Sequence, residues 1–239
     1  MLAAAWWGGL ASASLLVGYA LSMRGLSNRT IGMVMGIGAG ALLSAIAYEL
    51  IPESMVAGWG TVLALALGAL AFFAGDWLID HRGGAARKAI ASQEPAGSGA
   101  AIFIGTLLDN VPESIILGMS LALGGAINVA FLAAVFVSNL PEGVAGSINL
   151  AAAGYSRRSV LWMWILLVLV SAASAGLGYV AAHALPGIDG RYAQAFAAGA
   201  MLTMLSDAMM PEAFEHGGKL VGLFTVFGFL AAALLSFMA

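Results

Sequence analysis

The sequence predicts an all-α membrane protein, a bundle of eight transmembrane helices, from its composition and from the spacing of its apolar runs. Of its 239 residues, 62% are hydrophobic and only 9% are charged, whereas soluble domains carry about a quarter charged residues. Mean hydropathy is +0.98. Polar interruptions divide the chain into eight apolar runs, each near the roughly 20 residues that a helix needs to cross a bilayer.

The composition also excludes several functional classes. The chain has no Cys, so it forms neither a disulfide nor a thiolate metal site. Its net charge of −3 provides no basic surface for nucleic acid, which we do not expect as a partner. The 32 Gly favour close contacts between helices in a bundle that is surrounded by a lipid bilayer.

The eight predicted spans follow the apolar runs in order. The first run lacks a basic segment before it and contains Trp6 and Trp7, which are typical of a membrane interface and not of a cleaved signal peptide. We therefore expect this run to be retained as a helix. The runs lie near 2–23, 31–56, 58–80, 99–124, 126–151, 159–184, 190–213 and 217–238.

The basic residues predict the orientation. All but Arg191 follow odd-numbered spans, and the positive-inside rule then puts those loops in the cytoplasm and both termini outside, in a multi-pass protein of the cell membrane. Residues 81–98 form a cytoplasmic linker within a single transmembrane domain, 1–239, and a homodimer is one assembly left open. The basic residues after odd-numbered spans are Arg24, Arg29, Arg82, Arg87, Lys88, Arg157, Arg158 and Lys219.

A Pro-Glu dipeptide recurs four times among the six prolines of the chain. Three of the four share a longer frame, in which a polar residue precedes the Glu by four positions and therefore lies on the same helix face. The frames are Glu49-Leu-Ile-Pro-Glu53, Asp109-Asn-Val-Pro-Glu113 and Ser138-Asn-Leu-Pro-Glu142, and the fourth dipeptide is Pro211-Glu212.

These frames combine ligands that divalent cations prefer. Proline inside a helix removes one N–H and displaces the carbonyl four residues back, so Leu108 and Val137 should each offer a freed C=O near these side chains. Carboxylates, amides and carbonyls suit hard or borderline cations, and His would add affinity for zinc-like ions. No His occurs in spans four or five.

The positions of the frames indicate a cation pathway. The Asp109 and Ser138 frames fall near the midpoints of spans four and five. At that depth, burial of the charged Asp109, Glu113 and Glu142 carboxylates would cost about 8–10 kcal/mol in total if they were unpaired and their costs were additive. Since these spans contain no Lys or Arg, protonation, water or a bound cation must offset that cost.

The Pro-Glu dipeptides of spans two and seven suggest an inverted repeat. Glu53 falls near the outer end of span two, and Glu212 falls near the inner end of span seven. This mirrored placement predicts that spans one to three rock against the rest as access to the centre alternates.

Acidic residues near the ends of the spans are candidates for the ion pathway. Glu212 and His216, four residues apart, share a helix face on the cytoplasmic side, where an exit site is expected. Solvation at a helix end explains these residues about as well, and also explains Asp76 and Asp80. The candidate pathway residues are Glu49, Glu53, Asp207, Glu212 and His216, with Glu215 beside them.

The two central frames resemble those of the ZIP family of divalent-metal transporters, whose fourth and fifth helices carry His-Asn-x-Pro-Glu-Gly-type motifs around a binuclear site. The motifs 109–114 and 138–143 match in place and spacing, and eight helices with outward termini extend the resemblance over nearly the whole chain. The resemblance implies that Asn110, Glu113 and Glu142 are metal ligands, with Asp109, Ser138 and Asn139 at the neighbouring ligand positions.

Differences from the family pattern bear on the identity of the ion. Helix four of the family has a His where this chain has Asp109. Ser138 and Asn139 occupy positions that are commonly an acid or His in the family, and Ala175 aligns with a Glu of helix six. The site is therefore harder and poorer in nitrogen, and we expect a weak or absent second metal position. The resemblance implies zinc as the transported substrate, with manganese, iron and cadmium as alternatives.

Two classes of function follow. The leading hypothesis is a carrier that moves a divalent metal toward the cytoplasm, with Glu113 and Glu142 flanking the ion. The alternative is a non-transporting membrane scaffold or metal sensor, motivated by the missing His and by Ala175. We do not expect an enzyme, because the sequence has no His-Glu-x-x-His motif and no His near the carboxylates to act as a base.

Overall fold

The computed structural model describes residues 1–55, 58–84, 90, 99–184 and 190–238, and within these ranges the chain is helical and contains no strand. Seven of the helices are long and apolar enough to cross a membrane. We number the long helices α1 Leu2–Ser22, α2 Asn28–Leu50, α3 Trp59–Arg82, α4 Gly99–Gly124, α5 Val129–Ala152, α6 Arg157–Ala184, α7 Gly190–Met204 and α8 Leu220–Met238.

The predicted all-α class is confirmed, and the predicted spans agree with α1 to α8 to within a few residues at most ends. The seventh predicted span, 190–213, differs from the others. It consists of the 15-residue α7, a π-helical turn at Leu205–Met209 and a short helix at Met210–Gly217. It is therefore the one predicted span that is not among the seven long apolar helices of the described chain. Residues 81–84 of the predicted linker 81–98 are helical and continue α3, and apart from Ile90 the rest of that prediction lies outside the described residues.

Local sequence explains where several helices begin. The Ser27 hydroxyl accepts a hydrogen bond from the N–H of Thr30 at the start of α2, and the Asn128 side chain accepts one from the N–H of Phe131 at the start of α5. Such caps satisfy N–H groups that have no partner in the first helical turn. Gly58 and Gly218 precede α3 and α8 with φ values of 78° and 67°, a conformation that favours glycine.

Glycines allow four pairs of helices to touch backbone to backbone. A Cβ added to Gly40 of α2 would lie 1.9 Å from the Thr225 carbonyl oxygen of α8, and one added to Gly228 would lie 2.1 Å from that of Ile37. These approaches leave no room for any side chain at either position. Similar reciprocal contacts join α3 to α7 through Gly68 and Gly199, α4 to α6 through Gly118 and Gly178, and α1 to α5 through Gly18 and Gly143.

Helices α2 and α7 share a local pattern around their Pro-Glu dipeptides. A π-helical turn ends two residues before each proline. The first turn forms the end of α2 and finishes at Leu50, and the second directly follows α7 and finishes at Met209. Each helix also carries a glycine, Gly40 or Gly199, that contacts the backbone of a neighbouring helix. A π-helical turn inside a long helix often marks a functional position.

We predict that Gly40→Ala destabilises the protein because its methyl group would overlap the backbone of α8. Overpacking of this kind costs about 1–3 kcal/mol, which should lower the thermal midpoint in detergent by roughly 2–12 °C for a chain of this size. Gly222→Ala is the matched control, since its Cβ would lie 3.9 Å from the Phe214 ring. Equal midpoints for the two variants would contradict the close α2–α8 contact.

Candidate functional site

The two central Pro-Glu frames lie in the interior of the bundle. Both α4 and α5 continue through their prolines, Pro112 and Pro141, without a break. The polar residues that the sequence predicts as ligands are all buried, each at most 3% exposed: Asp109, Asn110, Glu113, Ser138, Asn139 and Glu142.

A hydrogen bond between two amides joins the frames. Asn139 Nδ2 on α5 donates to Asn110 Oδ1 on α4 at 3.0 Å. The same oxygen accepts a second bond from Ser12 Oγ on α1 at 3.3 Å. Asn110 Nδ2 donates to the Thr106 carbonyl oxygen one turn earlier at 3.1 Å. Three helices therefore meet at the Asn110 amide.

The other frame positions supply further oxygen atoms. Ser138 Oγ donates to the Val135 carbonyl oxygen at 2.9 Å, which leaves the lone pairs of the hydroxyl available to accept. The Val137 carbonyl, expected to be freed by Pro141, lies 3.2 Å from where a Cβ of Gly38 on α2 would stand. Val137 therefore borders α2 closely.

The centre is rich in oxygen atoms. The amides of Asn110 and Asn139 and the hydroxyl of Ser12 meet between α1, α4 and α5, and the carboxyls of Asp109, Glu113 and Glu142 are buried on α4 and α5. This donor set suits a hard or borderline divalent cation better than a soft one. Binding through Asn110 Oδ1 would require its two hydrogen-bond donors to turn away, since a cation and a donor hydrogen compete for the same lone pairs.

Helix α6 contributes no ligand at the position where the resemblance implies a Glu. Ala175 there is fully buried, and its carbonyl oxygen would lie 1.9 Å from a Cβ on Gly118 of α4. The backbones of α4 and α6 thus touch at this level.

Glu49, a candidate pathway residue, connects α2 to the beginning of α5. Its carboxylate accepts a hydrogen bond from Asn128 Nδ2, the residue that also caps α5 through its side-chain oxygen. Glu49 lies within the π-helical turn of α2, so this turn is tied to the helix that carries Asn139. Glu53 belongs to the short helix Ile51–Met55, but its side chain lies outside the part of the chain that the structure describes.

Three further candidates come together after α7. One potential ligand atom from each of Glu212, Glu215 and His216 lies within 4.8 Å of the others, and His216 Nδ1 is 3.2 Å from Glu212 Oε1. The expected shared face of Glu212 and His216 is thus observed. The backbone N–H of Ile90 also donates to Glu212. Among the described residues, Asp109, Glu113 and Glu142 do not form a comparable cluster.

Asp207 does not belong to this cluster. It is exposed and lines a groove of about 360 Å³ with Thr203 and Ser206, against Leu65 and Phe73 of α3. The structure therefore separates the predicted residues into a buried centre, a contact between α2 and α5, a cluster after α7 and a groove between α3 and α7.

Several buried polar residues were missed or misjudged from the sequence. Ser12 and Thr106 contact Asn110, and Gln194 of α7 is buried. Asp76, for which solvation at a helix end was one expectation, is only 5% exposed. Single polar residues in apolar spans were the only available signal for these positions.

Comparisons with known proteins leave the chain without an assigned family. No protein-family model matches it, and no curated protein matches its sequence. Function must therefore be inferred from the chemistry of the residues themselves.

The hydrogen bond between Asn128 and Glu49 can be tested by exchanging its donor and its acceptor. Asn128→Asp keeps an N-cap oxygen but removes the donor and faces two carboxylates, so we expect it to destabilise the protein by about 1–2 kcal/mol. Adding Glu49→Gln should restore most of that loss, because the new amide can donate to the new carboxylate. Thermal unfolding of both variants measures this, and no recovery in the double variant would contradict the pairing.

Proposed function

We propose that this protein transports divalent metal cations across the cell membrane toward the cytoplasm, through a carboxylate and amide site at the middle of the bundle. The observation that carries the proposal is the 3.0 Å bond between Asn139 and Asn110. It brings together two buried Pro-Glu frames from adjacent helices, each with a Glu one helical turn away.

The energetics of burial support a cationic substrate. A carboxylate at the bilayer centre costs about 2.5–3.5 kcal/mol on insertion scales, and α4 and α5 contain no Lys or Arg. A divalent cation that binds between Glu113 and Glu142 offsets this cost during each transport cycle. Asp109 and Ser138 supply neighbouring oxygen atoms.

The pathway runs from Glu49 and Glu53, toward the outer end of span two, past the central frames to the cluster after α7. Glu212 and His216 receive the ion on the cytoplasmic side, with Asp207 beside the route. The distribution of basic loops supports this orientation, with both termini outside. Imidazole at the inner end gives a departing borderline ion a nitrogen ligand that α4 and α5 lack.

An inverted repeat supplies the motion for alternating access. The matched π-helical turns before Pro52 and Pro211 support a relationship between α1–α3 and α6–α8. Under this relationship, α2 corresponds to α7 and α3 corresponds to α8. The glycine contact between α2 and α8 then corresponds to the glycine contact between α3 and α7. Rocking of the first three helices against the rest then opens the centre to either side.

The substrate is a borderline or hard divalent ion. The resemblance of the central motifs to those of the ZIP family favours zinc and adds cadmium, a softer ion, as an alternative, and the oxygen-rich donor set also suits manganese and iron. The ion is cargo, not a resident cofactor, and no catalytic step is involved.

A second function, a non-transporting membrane scaffold or metal sensor, is favoured by one specific contact. The close backbone approach of Gly118 and Ala175 leaves no side-chain ligand at the Ala175 position of α6, so the centre is a reduced version of the binuclear site that the resemblance implies. Absence of uptake by purified protein that still binds the metal would select this alternative.

Uptake into proteoliposomes tests the central site. For zinc, manganese, iron and cadmium, we expect Glu113→Gln combined with Glu142→Gln to reduce uptake at least about tenfold, since even outer-shell partners of metal ligands contribute 10–100-fold. Glu94→Gln, in the 81–98 linker, is the control for loss of a carboxylate. Equal uptake by the double variant and the wild type would overturn the assigned site.

The cluster after α7 predicts a different kinetic effect. His216→Ala should lower the maximal uptake rate about three- to tenfold, as expected for loss of one ligand interaction of about 1 kcal/mol, with the KM changed less than about twofold. His183→Ala is a matched control, because the Nδ1 atoms of both residues lie near the carbonyl oxygen four residues earlier. A raised KM with an unchanged maximal rate would assign His216 to capture of the ion instead of release.

A further inference from the structure

The first helix is locally distorted beside the central site. Around Ala13, the N–H of Ala13 bonds to the carbonyl oxygens of both Gly9 and Leu10, at 2.9 and 3.2 Å, and the N–H of Leu16 bonds to the Ala13 carbonyl at 3.0 Å. Such three-residue bonds tighten a helix. The distortion divides α1 into a first half that packs mainly on α6 and a second half that packs mainly on α5.

Two fully buried serines flank this distortion and use their hydroxyls differently. Ser14 Oγ donates to the Ala11 carbonyl oxygen of its own helix at 2.8 Å. Ser12 Oγ donates across the interface to Asn110 Oδ1 on α4. Of these two serines, Ser12 is therefore the one that hydrogen-bonds to a central frame.

Asn110 Oδ1 accepts two hydrogen bonds, from Ser12 Oγ and from Asn139 Nδ2, and a cation that bound this oxygen would replace these donors. Rotation of the Asn139 side-chain amide by about 180° about its terminal torsion, which is broadly two-fold, turns its oxygen toward the same point. Rotation of the Ser12 hydroxyl likewise turns a lone pair toward that point.

A second observation indicates further polar capacity along this interface. Ser171 Oγ on α6 is fully buried and has no hydrogen-bond partner in the described part of the chain. Its backbone carbonyl lies 3.1 Å from where a Cβ of Gly8 would stand, and Gly8 is one helical turn from Ser12. A buried hydroxyl without a partner is costly, and a hydrated ion or its water would satisfy it.

We propose that Ser12 is an ion-binding residue contributed by α1, which exchanges its hydrogen bond to Asn110 for a bond from its oxygen to the divalent cation. This inference rests on the central site of the proposed function. Loss of a neutral oxygen ligand weakens the binding of a hard ion more than the binding of a softer one. Ser12 therefore favours manganese relative to zinc and cadmium.

Equilibrium binding by purified protein in nanodiscs tests this role without requiring transport. The EPR signal of free Mn²⁺ gives the manganese affinity, and competition with Zn²⁺ gives the ratio of the two. We expect Ser12→Ala to weaken Mn²⁺ binding about three- to tenfold and Zn²⁺ binding by less. Ser14→Ala, which removes an equally buried hydroxyl from the same distortion, should leave both affinities within about twofold.

The outcomes separate this inference from the proposed function. If the Ser12→Ala variant binds Mn²⁺ with the affinity of the wild type, the role of Ser12 is overturned and the transport proposal stands. Equal losses of Mn²⁺ affinity in the Ser12→Ala and Ser14→Ala variants would lead to the same conclusion. Binding that weakens selectively in Ser12→Ala, in a protein that takes up no metal into vesicles, would support Ser12 and overturn transport. No Mn²⁺ or Zn²⁺ binding by the wild type would overturn both.

Discussion

The centre of the bundle depends on one amide, that of Asn110, because it joins three helices through both lone pairs of its oxygen and one of its N–H groups. Its oxygen accepts from α1 and α5, and its nitrogen donates to a carbonyl of its own helix. Each such bond within a membrane bundle contributes only about 0.6 kcal/mol on average. Their effect is positional, because they fix the rotation of α4 and α5 so that both Pro-Glu frames face the interior.

Short polar side chains can meet in this way only because the backbones approach closely. On α1 and α5, Gly18 faces the Leu140 carbonyl and Gly143 faces the Leu15 carbonyl, each at less than 3 Å from the position of an added Cβ. Serine and asparagine reach only a few ångströms from their own backbone. The glycine contacts that hold the bundle together are therefore also what brings a serine of α1 within hydrogen-bonding distance of α4.

Hydropathy and the Pro-Glu frames were sufficient to predict the helices and the buried centre, because both depend on local patterns. The burial of Asn110 and Asn139 follows from their place near the middle of long apolar runs. Ser12 could not be predicted as a partner of Asn110, since that contact depends on the rotation of α1 about its axis and on the distortion at Ala13. The pairing of Glu49 with Asn128 joins residues far apart in sequence, and no periodicity encodes it.

The arrangement around Asn110 also bears on the choice between transport and sensing. A cation that binds this oxygen must displace two donors, and the lost hydrogen bonds offset part of the binding free energy, at about 0.5–1.5 kcal/mol each. A site that holds an ion moderately releases it faster, and conduction or transport requires binding weak enough to allow departure. A sensor also needs reversible binding, so moderate affinity fits both functions. Transport additionally requires the ligands to reorganise as the ion passes, and under the proposed function the amide and hydroxyl donors would turn from donor to ligand without a change in backbone position.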